Sequence, residues 1–83
     1  MTHGKPSPVQ REAAAAIRAA RMGLKVTLTA AGAWGGDGHG PRLWVATLGA
    51  RWYAHRWDGE RSASAFGATA AEAVVAVRKR CVA

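Results

Sequence analysis

The chain has 83 residues, which is room for one domain and one core. Half of it is hydrophobic, but much of that is alanine; the large apolar side chains are few, and four of them are tryptophan. Twelve Lys and Arg against five Asp and Glu give a net charge of +7, which favours acidic partners: nucleic acid first, then an acidic protein. A single cysteine, Cys81, excludes an internal disulfide and fits a reducing, cytoplasmic setting. No apolar run approaches the ~20 residues of a membrane span, and the first ten residues show no secretory leader, so no membrane partner is expected.

Residues 1–6 read as a disordered lead, and residues 7–83 as a single α+β domain. Ser7 can cap a helix, Pro8 suits its first position, and Gln10 completes a capping box. This helix is expected to run to about Met22, with Gly23 ending it. LKVTLTA (24–30) alternates as a half-buried strand, with Leu24, Val26 and Leu28 inward. GAWGGDGHGP (32–41) reads as a long glycine-rich loop, whose Trp34 either folds onto the core or stands out as an anchor. RLWVATL (42–48) and RWYAHRW (51–57) are strands, joined either by a Gly49-Ala50 turn or through a bulge at Gly49. Asp58-Gly59 signals a tight turn before a short strand in ERSASAF. Thr69 to Glu72 is a capping box opening a C-terminal helix with Arg78, Lys79 and Arg80 near its end, where cations suit the dipole. The expected fold is an N-terminal helix, a three- or four-stranded antiparallel sheet, and a C-terminal helix packed on one sheet face.

Alternation divides the segment 51–57. Trp52, Ala54 and Arg56 point one way, and Arg51, Tyr53, His55 and Trp57 the other. Trp52-x-Ala54 is the better core candidate, with Arg56 at its edge, stem buried and head in water. The opposite side gains Lys25, Thr27 and Thr29 from the first strand, and either Arg61 or Ser62 and Ser64 from the last. Arginines meet phosphates, flat rings stack on unpaired bases, and hydroxyls donate to backbone oxygens. The candidate nucleic-acid-binding residues are therefore Lys25, Arg51, Tyr53, His55, Arg56 and Trp57, joined by Arg61, Arg78 and Lys79. Aromatics and arginines also pair across sheets for structural reasons alone, and a protein contact is the second reading of such a face.

From Trp52 to Ala73 the chain resembles the N-terminal arm-binding domain of tyrosine recombinases from phages and integrative elements. The resemblance rests on Trp52-x-Ala54, Asp58-Gly59 and Phe66-x-x-Thr69-x-x-Glu72-Ala73. It implies a three-stranded sheet packed on one helix and laid into the DNA major groove. Trp52, Ala54 and Phe66 would be core, Thr69 and Glu72 the helix cap, and Arg56 and Arg61 candidate contacts. The N-terminal helix is a departure from that pattern, and these residues hold no catalytic domain. The overall order is similar to double-stranded-RNA-binding domains, but the lysine cluster that opens their last helix is absent: Thr69-Ala-Ala-Glu72 stands there.

Other sites are weaker. GGDGHG (35–40) lacks the Gly-Lys-Ser/Thr ending of a phosphate loop. Asp37 and His39, with His3 or His55, have no diagnostic metal spacing. Cys81 reads as a small buried residue, and no acid–base pair is visible. No enzyme, cofactor or metal is therefore expected. The expectation is a small DNA-binding accessory or regulatory protein of a phage or mobile element, DNA being favoured over RNA. The alternative is a protein-binding inhibitor or adaptor, such as a phage-encoded inhibitor of host defence, docking on an acidic partner. Alanine-rich helices leave apolar surface that a second copy could bury, as a homodimer.

Overall fold

A computed structural model describes residues 5–36 and 40–82, with the backbone alone at 81 and 82. His3, Asp37, His39 and the Cys81 side chain lie outside the described residues, as does most of the expected disordered lead. The architecture is α+β, in the order α1 (Pro8–Ala19), β1 (Val26–Thr29), β2 (Gly32–Gly35), β3 (Arg42–Leu48), β4 (Arg51–Trp57), β5 (Ser62–Gly67), α2 (Ala70–Val82). The strands form one antiparallel sheet in the order β1-β2-β3-β4-β5, one more than the upper expectation.

The added strand lies inside the expected glycine-rich loop. Its glycines serve close approach rather than mobility. A Cβ at Gly32 would stand 2.0 Å from the Val45 carbonyl oxygen, and one at Gly35 would stand 2.9 Å from Ile17 Cγ2 of α1. Two alanines, Ala30 and Ala31, turn the chain between β1 and β2, with Thr29 opposite Gly32. The β3–β4 hairpin is the two-residue Gly49-Ala50 turn; Leu48 lies opposite Arg51, and Gly49 takes φ +64°. In the β4–β5 turn the central pair is Gly59-Glu60 rather than Asp58-Gly59, because the Asp58 N–H donates to the Arg61 carbonyl at 3.0 Å.

α1 opens as expected: the Gln10 N–H donates to Ser7 Oγ at 3.1 Å and the Ser7 N–H to Gln10 Oε1 at 2.9 Å. It ends earlier than expected, at Ala19, because Arg21 adopts φ +53° and turns the chain away. A left-handed backbone at a residue with a Cβ costs ~1 kcal/mol or more. Arg21→Gly is therefore expected to raise stability by a few tenths to about 1 kcal/mol, net of the added freedom of the unfolded chain, in a urea titration. At α2, Thr69 Oγ1 accepts from the Glu72 N–H at 3.1 Å. The Ala70 N–H donates to Glu12 of α1 at 3.1 Å, so a carboxylate from the other helix meets the positive end of α2.

Both helices cover one face of the sheet. Ala13, Ala16 and Ile17 of α1 and Ala70, Ala73, Val74 and Val77 of α2 meet Ala33, Leu43, Val45, Trp52, Ala54 and Ala65. Methyl-lined helices sit low on the sheet, and Gly67 lets α2 closer still: a Cβ there would be 2.6 Å from the Ala73 nitrogen. Leu28, by contrast, is 42% exposed at the β1 edge, although its strand alternation points inward.

Candidate nucleic-acid interface

Residues directly opposite one another in a sheet share a face, and neighbours along a strand do not. The register therefore lays out the uncovered face in rows. One row crosses the whole sheet: Thr27, Trp34, Trp44, His55, Ser64. Beside it on one side lie Arg42, Trp57 and Ser62, and on the other Ala46, Tyr53 and Phe66; Arg51 follows, opposite Leu48. Of the six Phe, Trp and Tyr residues, only Trp52 faces the helices. The scarce large rings thus go mainly to the face without helices, while alanine and valine fill the core.

The rings touch. Trp44 meets Tyr53 edge-on at 5.6 Å between centroids, Tyr53 meets Phe66 at 5.4 Å, and Tyr53 lies nearly parallel to His55 at 6.4 Å. Such pairs fix ring orientation beyond what burial alone does. The Tyr53 hydroxyl is 3.4 Å from His55 Nδ1. Two cations frame the cluster: the Arg42 guanidinium lies 4.9 Å from the Trp57 ring, and that of Arg51 4.6 Å from Phe66. Each therefore keeps its charge beside a ring face. At the Arg42–Trp57 end a shallow groove of about 590 Å³ is lined by Trp34, Arg42, Trp44, His55 and Trp57. Trp44 is 43% exposed and Phe66 42% exposed, so large apolar rings stand open on this face.

The structure unites part of the expected site. Arg51, Tyr53, His55 and Trp57 share the open face, with the three rings half-buried and Trp52 packed beneath the helices. Lys25 is exposed just before β1, its carbonyl accepting from the Gly36 N–H at 2.8 Å. Ser62 and Ser64, not Arg61, complete the face from β5. Arg56 is on the helix-covered side, its Nε buried without a hydrogen bond among the described residues. Arg61 sits in the β4–β5 turn, and Arg78 and Lys79 stand on α2, behind the sheet. Phe66, assigned to the core by the recombinase resemblance, is instead on the open face; Ala65 takes the core position.

Trp34, Arg42, Trp44 and Phe66 were not among the expected site residues. Trp44 and Arg42 follow from the alternation that puts Leu43 and Val45 inward. Trp34 carried no such signal, being set among glycines. Nearby, Asp58 is held below the usual carboxylate range because its side chain accepts the Arg61 and Glu60 N–H groups, at 2.8 and 2.9 Å. Among the described residues no three His, Cys, Asp or Glu converge, and no helix is long and apolar enough to cross a membrane. No family model, no curated protein and no solved structure matches this chain.

Proposed function

We propose that this chain binds single-stranded nucleic acid on its open sheet face, without catalysis, as a small accessory or regulatory protein. The observation that carries this reading is the allocation of rings: five of six Phe, Trp and Tyr residues, with His55, lie on the face without helices. Unpaired bases stack on such rings at ~1–3 kcal/mol each, and any base has a face to offer. Arg42 and Arg51 stand six residues apart along the paired strands, ~20 Å at the strand rise. They would take phosphates at the two ends of a segment of about six stacked nucleotides, or fewer if the strand is extended.

The width of the sheet disfavours a duplex groove. Five strands at ~4.8 Å spacing span ~19 Å between the outer two, and the DNA major groove is ~12 Å wide. DNA is the expected form. The aliphatic hydroxyls Thr27, Ser62 and Ser64 lie on the edge strands, and the central Tyr53 hydroxyl lies beside His55 Nδ1 at 3.4 Å, so the centre of the platform offers mainly rings and few free partners for a 2′-hydroxyl.

The test is a titration of intrinsic tryptophan fluorescence with a pyrimidine oligonucleotide and with a duplex of the same sequence, at low and moderate salt. The single strand is expected to quench fluorescence, with affinity falling about tenfold or more between ~50 and ~200 mM salt if two to three phosphates are neutralised. The duplex is expected to leave the tryptophans unquenched. No binding to any single strand at low salt would overturn the reading. Trp, Tyr and Arg are also the residues that dominate protein interfaces. An acidic protein partner is accordingly the second reading, and it would survive that negative result.

A further inference from the structure

The two helices run in the same direction. α1 begins beside the β1–β2 turn, where Gln10 Nε2 donates to the Thr29 carbonyl at 2.7 Å, and Glu12 reaches the first turn of α2. α1 ends near Gly35, at the opposite end of the sheet. α2 leaves β5 at Gly67 and returns along it, so its last turn reaches that same end. Arg18 lies in the last turn of α1 there, Arg21 stands just past its end, and Lys25 follows just before β1. Arg42 opens β3 at that end, and Arg56 and Arg61 flank the β4–β5 turn. The run Arg78 to Arg80 closes α2 beside them. Nine of the twelve cations thus gather at one end of the molecule, where Asp58 and Glu60 are the acids among the described residues. Helix dipoles explain little of this: two C-termini carry about one negative charge together.

This end differs from the open face in kind. Trp57 and Arg42 lie on the border between them; beyond that border are charged side chains on helix ends and turns, with no ring to stack a base among the described residues. A surface of cations without rings reads phosphates alone, which is what a duplex presents when its bases are paired. We propose that the basic end seats the duplex arm of a single-strand–duplex junction, whose single strand runs on across the groove at Trp57 and Trp44. The inference rests on the single-strand reading of the open face and adds the substrate class.

The experiment compares three labelled DNAs by fluorescence anisotropy: a short single strand, the same strand carrying a duplex arm, and a single strand with as many phosphates as the junction. The junction is expected to bind on the order of tenfold tighter than the equally charged single strand, with a steeper dependence on salt. Replacing Arg18, Arg78 and Lys79 together by glutamine is expected to abolish that preference and to leave the short single strand bound within about threefold. Circular dichroism checks that the variant is folded; if it is not, Arg61→Gln with Lys25→Gln, outside both helices, is expected to reduce the preference in the same sense. Equal affinity for the junction and the long single strand overturns the junction proposal and leaves the open-face reading intact. Failure of all three DNAs to bind removes both.

Discussion

Replacing Trp44 and Trp57 together by alanine is expected to weaken binding of a single-stranded oligonucleotide about a hundredfold or more. Each ring lost from a stacking platform costs ~1–3 kcal/mol, and 1.4 kcal/mol is tenfold. The fold should survive. Trp44 is 43% exposed and Trp57 is half-buried on a face that no helix covers, so their removal opens no cavity in the core. The thermal midpoint is expected to move by only a few degrees, the shift of about 1 kcal/mol in a domain this small. Trp44→Phe should retain most of the affinity, because it keeps a ring. If the double variant binds as the parent does, the groove is not where bases sit.

The same substitution one strand face away has the opposite effect. Trp52→Ala is expected to cost ~3–5 kcal/mol, the range for truncating a buried aromatic residue. Trp52 is 9% exposed and is the one large ring in a core otherwise built of alanine, valine, leucine and isoleucine. A short chain is expected near the lower end of the ~5–15 kcal/mol stabilities of natural domains, so this loss would consume most of the margin. A urea titration followed by circular dichroism should show a largely unfolded or barely stable protein. A midpoint close to the parent's would mean that the helices pack on the sheet without that ring. Trp44 and Trp52, eight residues apart, thus separate binding from stability.

What could be read in advance was whatever rests on local rules. Alternation placed Trp52 and Ala54 against the helices and Tyr53, His55 and Trp57 outward, and Ser7 and Thr69 marked both helix starts. The second strand escaped because Gly32 and Gly35 carry the usual signature of a loop. Their actual reason, a carbonyl and an isoleucine methyl within 3 Å of any Cβ, exists only in the folded chain. Trp34, left open between the core and an exposed anchor, lies half-buried on the open face. Phe66 was misplaced by the recombinase resemblance; alternation left two registers open for this short alanine-serine strand, and the one with Ser62 and Ser64 outward, which puts Phe66 outward too, is the one the chain adopts. The early end of α1 depends on Arg21 taking a left-handed backbone, which propensity does not signal. The gathering of cations at one end depends on helix direction. Arg18, Arg61 and Lys79 are far apart in sequence and converge only because α1 and α2 run parallel.

The open face as a base-stacking platform is most directly tested by following the four tryptophan indole N–H signals in a heteronuclear NMR titration with a single-stranded DNA oligonucleotide. The signals of Trp34, Trp44 and Trp57 are expected to shift or broaden as the strand is added, while that of Trp52, shielded beneath the helices, stays in place. Movement of all four together, or of none while binding is saturated, would contradict the account.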